Sequence, residues 1–161
     1  MKRTCYFTNP IGNLMKSTIF LAGMFLFFHL TSFGRDFKKL GADEADQSKT
    51  KIARAFAAAF LMKLKAGETY QFKDEAIDVL KNQLTPDNQK LVYQQLKGQF
   101  GDFKSLEYAE TWVQANNKSM QIVRLKGNFE KSNRSQEIRV VVNETNKISG
   151  FWVKPWSDML Y

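Results

Sequence analysis

The sequence predicts an α+β fold in which about three N-terminal helices pack on a curved, four-stranded antiparallel sheet. Three observations carry this expectation. From residue 48 to Gly101 apolar residues recur at helical spacing and the first and last of these runs end at glycines; beyond Gly101 the spacing shortens to two; and the four later runs are rich in β-branched and aromatic residues, separated by Asn-, Lys- and Ser-rich turns. Helices first and strands afterwards is the pattern of an α+β domain closed by a meander.

Each element has its own signal. The first helix is expected over Ser48 to Ala66, where Ile52, Phe56, Phe60 and Leu64 recur every fourth residue and Gly67 supplies the stop. Its alanines, Ala55, Ala57, Ala58 and Ala59, favour helix and let a neighbouring element approach closely. A shorter helix is expected from Lys73 to Asn82, with Ala76, Ile77 and Leu80 as its apolar stripe. Thr85-Pro86-Asp87-Asn88 then combines a capping hydroxyl, a proline at the first helical position and a carboxylate at the positive helix end, so the third helix starts at Pro86 and runs to Gly101.

Strands are expected over Phe103 to Gln114, Met120 to Lys131, Ser135 to Asn143 and Lys147 to Trp156. In the second, Val123, Leu125 and Phe129 share one face, and Arg124, Lys126 and Asn128 share the other. In the third, Val141 lies opposite Ile138, Val140 and Val142, which argues that the second face of the sheet is partly covered.

Ahead of these elements, residues 15–34 read as a secretory signal. Lys16 is the charge, Ile19 to Leu30 the apolar run, and Ser32 and Gly34 the small residues before cleavage after Gly34. An uncleaved membrane anchor is the alternative, and Met15 is an alternative start. Residues 35–47 are polar and read as an exposed leader, leaving 48–161 as one α+β domain. The chain is therefore expected to be exported, to the periplasm or the cell exterior.

Of 24 Lys+Arg, three (Lys2, Arg3, Lys16) fall in residues 1–34, so against 16 Asp+Glu the exported part keeps a net charge of +5. That excess suits solubility or weak attraction to acidic surfaces. Cys5 and His29, the one cysteine and the one histidine, fall in the same segment. Without them, Ser-His-Asp and Cys-His catalysis, His- or Cys-based zinc sites and disulfides are excluded from the exported part. No metal or cofactor is expected. Nucleic acid is excluded as a partner by the modest charge, the export and the missing nucleic-acid motifs.

Ala55-Phe56 to Gly67 with Tyr70, the segment Leu96-Lys97-Gly98-Gln99-Phe100-Gly101-Asp102-Phe103-Lys104-Ser105, and the last strand Lys147 to Pro155 together resemble a family of secreted bacterial domains of unknown function. That family occurs alone or ahead of a hydrolase domain. The resemblance covers nearly all of 50–156 and implies a cone of the cystatin and nuclear transport factor 2-like type, pairing of two copies through the sheet, and a pocket between sheet and helices. In relatives with a hydrolase, that domain follows the last strand, whereas Trp156 to Tyr161 is all that follows it here; hydrolase activity is not carried over.

In some relatives of this shape the pocket supports proton transfer by an Asp with a Tyr donor. Asp78 with Tyr70, Tyr93 or Tyr108 is the corresponding candidate set, since a buried carboxylate can serve as a base without histidine. The stronger reading of Asp78, on the polar side of its helix, is a solvated charge. Trp112, Phe151, Trp152 and Trp156 are candidates for a ligand or interface surface. Adjacent Phe151 and Trp152 must point to opposite sheet faces, so both cannot enter one core. Arg124, Lys126 and Arg139 line one face and could attract phosphate, acidic glycan or acidic protein, although such a stripe is usually only solvated.

Three functions fit these features. The first is an exported, non-enzymatic domain that binds a small ligand or an envelope protein, as a homodimer. The second is a His-free isomerase or dehydratase using a pocket carboxylate and tyrosine. The third is a structural dimerisation module for a partner envelope protein.

Overall fold

The computed structural model describes residues 37–160. The expected signal segment lies outside the described residues. Strand β1 is Phe37–Lys39, helix α1 Gln47–Lys65, α2 Asp78–Gln83 and α3 Pro86–Phe100; strands β2 (Phe103–Gln114), β3 (Asn117–Phe129), β4 (Gln136–Val142) and β5 (Ile148–Pro155) follow. The strands form one antiparallel sheet in the order β1-β2-β3-β4-β5. Among the described residues no helix is long and apolar enough to cross a membrane.

Among the described residues the sheet has five strands, not four, because part of the expected leader joins it. Phe37, Lys38 and Lys39 pair with Gln114, Val113 and Trp112. A three-residue edge strand shows no alternation in sequence; what recruits it is the free edge of β2 and the partial burial of Phe37 against the cluster of Ile122, Val141 and Leu160. Helix α1 begins where Asp46 caps it, its carboxylate accepting from the N–H groups of Ser48 at 2.8 Å and Lys49 at 3.3 Å.

The second helix is shorter than its apolar stripe predicts. Residues 75–77 are claimed by β5 instead: the Ile148 N–H donates to the Glu75 carbonyl at 2.7 Å and the Ile77 N–H to the Ile148 carbonyl at 3.0 Å. Ala76 thereby forms a parallel bridge to Ile148, and tertiary pairing overrides local helical tendency. The third helix starts as expected, with the Thr85 hydroxyl accepting from the Asn88 N–H at 3.4 Å. It stops at Gly101, whose φ of 82° favours glycine. Asn143 makes the β4–β5 turn, its side-chain oxygen accepting from the N–H groups of Thr145 at 3.0 Å and Lys147 at 2.8 Å.

The main core lies between the helices and one sheet face. Phe56, Phe60, Leu61 and Leu64 of α1 meet Val123, Leu125, Ile138, Val140, Val142 and Ile148 of the sheet, all buried. Phe151 closes it with its ring centroid 5.1 Å from Phe60 and 5.6 Å from Phe56, both edge-on, the arrangement aromatic pairs prefer.

The other sheet face carries a second, smaller cluster. Ile122, Val141 and Leu160 are buried there, with Phe37, Trp112, Met120 and Trp152 packed around them. Residues 156–160 form the lid of this face, as the position of Val141 implies a cover must. Phe151 and Trp152 thus enter different cores, as their adjacency requires. The Trp152 ring occupies the space a Cβ on Gly150 would need, which explains glycine at that strand position.

Candidate functional site

Two regions concentrate polar side chains: the covered sheet face and the groove between α1 and β2. On the covered face, register sets Glu110 opposite Arg124 and Arg124 opposite Arg139, while Glu137 sits opposite Lys126 and Lys154. Arg124 has a fully buried side chain, as has Glu137, and the two pair at 2.9 Å. Arg124 also bonds Glu110 and the Ser157 carbonyl. Glu137 accepts from Arg139 at 2.7 Å, with Lys154 at 3.7 Å, and Lys39 reaches Glu110 at 2.6 Å. The Trp156 ring lies over the Arg124 guanidinium at 4.4 Å and has the Lys126 ammonium 5.0 Å from its centroid.

Burial alone raises the Glu137 carboxyl, but hydrogen bonds and charge from Arg124 and Arg139 outweigh it and hold the group below its ordinary value. Glu110 behaves likewise: burial raises it, while Lys39, the Trp112 indole and Arg124 bring it down. Burial also lowers Lys154, helped by repulsion from Arg139. This network corrects the expectation of a solvated basic stripe. Arg124 is neutralised by two acids from neighbouring strands and roofed by Trp156 and Ser157; Lys126 remains exposed, and Arg139 is largely buried.

The candidate acid–base residues are spread over the fold. Asp78 opens α2 with its side chain 87% exposed and pairs with Lys81 at 2.8 Å, which keeps its carboxyl below the usual range. Tyr70 stacks edge-on with Phe56 at 5.6 Å, and burial beside Glu75 pushes its hydroxyl up to about 12. Tyr93 donates to Asp102 at 2.9 Å, and burial and that bond push it up to about 12. Asp102 also pairs with Lys97 at 3.0 Å; the Lys97 and Tyr93 bonds lower its carboxyl, which makes it a weak base. Tyr108 shares a 3.1 Å hydroxyl contact with Thr111. Among the described residues no group of acidic residues is arranged to hold a metal ion.

The second region is a groove of about 370 Å³ between α1 and β2, with Ala55, Ala58 and Leu106 as its apolar walls and Thr50, Lys51 and Arg54 among its polar ones. Lys51 and Arg54 are exposed and form no ion pair among the described residues. Thr50 is only 7% exposed, and its hydroxyl has no hydrogen-bond partner among the described residues.

A family model described as Protein of unknown function (DUF3887) matches residues 57–151. The chain belongs to this family. No curated protein matches the chain, and no solved structure does. The DUF3887 match begins inside α1 and ends within β5, so it takes in most of the main core, though not Phe56, together with Glu110, Arg124, Glu137 and Arg139. Strand β1 and the covering residues 156–160 lie outside it.

Sequence reasoning did not single out Glu110, Glu137, Lys51 or Arg54. For Glu137 a signal existed: strand alternation sets it opposite Ile138 and on the same face as Arg139. For Lys51 and Arg54 none did, because on α1 they read as the ordinary polar side of an amphipathic helix.

Proposed function

We propose that this chain is an exported, non-enzymatic binding module with a nuclear transport factor 2-like cone, acting on an envelope protein or small ligand at the face between α1 and β2. The observation that carries the reading is the contrast between the polar groups of the two regions. Glu110 and Glu137 are paired with Arg124 on the covered face, whereas Lys51 and Arg54 line the groove and form no ion pair among the described residues. Between α1 and the sheet, Phe56, Phe60, Tyr70, Phe72 and Phe151 pack ring against ring, occupying the space a buried substrate would need.

Native mass spectrometry of the exported chain, before and after gentle denaturation, tests the reading. A retained mass released on unfolding supports it, and the same spectrum reports whether the chain is the homodimer that the resemblance implies. Turnover of a substrate that is abolished by Asp78→Asn or Tyr93→Phe would establish the enzyme reading in its place.

A further inference from the structure

We propose that the groove between α1 and the outer edge of β2 binds an extended acidic segment of a partner protein, which joins the sheet as an added strand beside Phe103–Glu110. The inference deepens the binding-module reading and rests on it.

The main chain supplies the first argument. Strand β2 has 12 residues, yet β1 pairs only with Trp112, Val113 and Gln114, and the Leu40 N–H reaches the Thr111 carbonyl at 2.9 Å. Among the described residues nothing pairs with the outer edge of β2 from Phe103 to Glu110, and Lys104, Ser105, Glu107 and Tyr108 are exposed along it. A free edge of this kind presents unpaired N–H and C=O groups to an incoming strand. Register shifts at Phe103/Ser105 and Tyr108/Glu110 bracket the run Ser105–Tyr108, so the added strand is short, about four to six residues.

The groove beside that edge supplies the second. Every other side chain of an added strand points to the α1 side. There Ala55 and Ala58 are small enough to admit them, and Leu106 gives an apolar contact. The third argument is charge. Lys51 and Arg54 stand one helical turn apart on the groove, no acidic residue lines it, and Lys104 is exposed on the strand itself. An acidic segment whose carboxylates face the α1 side neutralises these cations.

The test sorts a displayed library of random peptides about eight residues long, enough to span the free edge, against the full chain. Enriched peptides are expected to alternate Asp or Glu with β-branched residues and to slow amide exchange across residues 104–108. Lys51→Glu with Arg54→Glu is expected to weaken them about tenfold or more. Both sites are exposed, and an unchanged thermal midpoint confirms the fold; Lys51→Gln with Arg54→Gln serves as the gentler pair. Absence of enrichment overturns the proposal, as do peptides that survive the charge reversals or leave the β2 amides exchanging freely. Protection of those amides in a peptide-free dimer overturns it in favour of a second copy. A retained small molecule without enriched peptides overturns strand addition while the binding-module reading stands, whereas substrate turnover removes both.

Discussion

Arg124 and Glu137 form an ion pair at 2.9 Å in which neither side chain is exposed to solvent, on the sheet face turned away from the helices. Removing water from two charges costs several kcal/mol each, so a pair of this kind stands only where further partners satisfy it. Glu110, Arg139, the Ser157 carbonyl and the Trp156 ring are those partners.

Breaking the pair from one side therefore costs more than removing it whole. Glu137→Ala leaves the Arg124 guanidinium buried beside a single remaining acid and is expected to lower unfolding free energy by about 3–5 kcal/mol. Arg124→Met combined with Glu137→Leu is expected to recover part of that loss, because Glu110 keeps Lys39 while Arg139 and Lys154 still lose the Glu137 carboxylate. Urea unfolding of the three proteins checks it; equal destabilisation by the single and the double change would show that the pair is not the seat of the effect.

Acid should loosen the same face. Glu137 and Glu110 both have folded values held below their ordinary 4.5. A carboxyl depressed by folding binds its proton more readily in the unfolded chain, so its contribution to stability is complete above 4.5 and is lost as pH falls through the folded value. The urea midpoint is expected to decline below pH 4.5, with a shallower decline in Glu137→Gln. An identical slope in the variant would assign the acid lability to other carboxylates.

How much of this was legible in the sequence depends on whether a feature is local. Thr85-Pro86 located the start of α3 because a cap is chemistry between neighbours. The adjacency of Phe151 and Trp152 placed them on opposite sheet faces because strand geometry alternates without regard to context, but it pointed to a ligand or interface surface and not to the second cluster that receives Trp152. Residues 73–77 misled, since their helical stripe competes with backbone bonds to Ile148, more than seventy positions downstream. Arg124 misled for a related reason: alternation placed it correctly on the second face, but its burial depends on Glu110, Glu137 and Ser157 arriving from three other segments. The groove at Lys51 and Arg54 has the same character, being made only when α1 lies beside Leu106.

The cover of the second face is expected to matter as much as the network beneath it. Truncation after Pro155 removes the Trp156 ring over Arg124, the carbonyl of Ser157 and the buried Leu160. Burial of one leucine contributes about 1.5–3 kcal/mol, and an accepted hydrogen bond on a charged group about as much again. The truncated chain is expected to show a lower thermal midpoint and stronger binding of an apolar dye than the full chain. Trp156→Ala alone is expected to cost about 1–2 kcal/mol. A midpoint unchanged by the truncation would mean that residues 156–160 lie on the face without stabilising it.

The main core offers a comparison within one helix. Phe60 is fully buried on α1 and touches Phe56, Tyr70, Phe72 and Phe151, with centroids 5.1–6.3 Å away. Two residues further on, the helix has turned far enough to leave Met62 51% exposed. Phe60→Ala leaves a cavity that its rigid aromatic neighbours cannot close and is expected to cost about 3–5 kcal/mol. Met62→Ala removes a side chain of similar bulk from water and is expected to stay within about 0.5 kcal/mol of the parent. Paired urea denaturation of the two variants reads the difference directly, because helix propensity hardly distinguishes the two substitutions. Equal losses would place the buried face of α1 elsewhere on the helix.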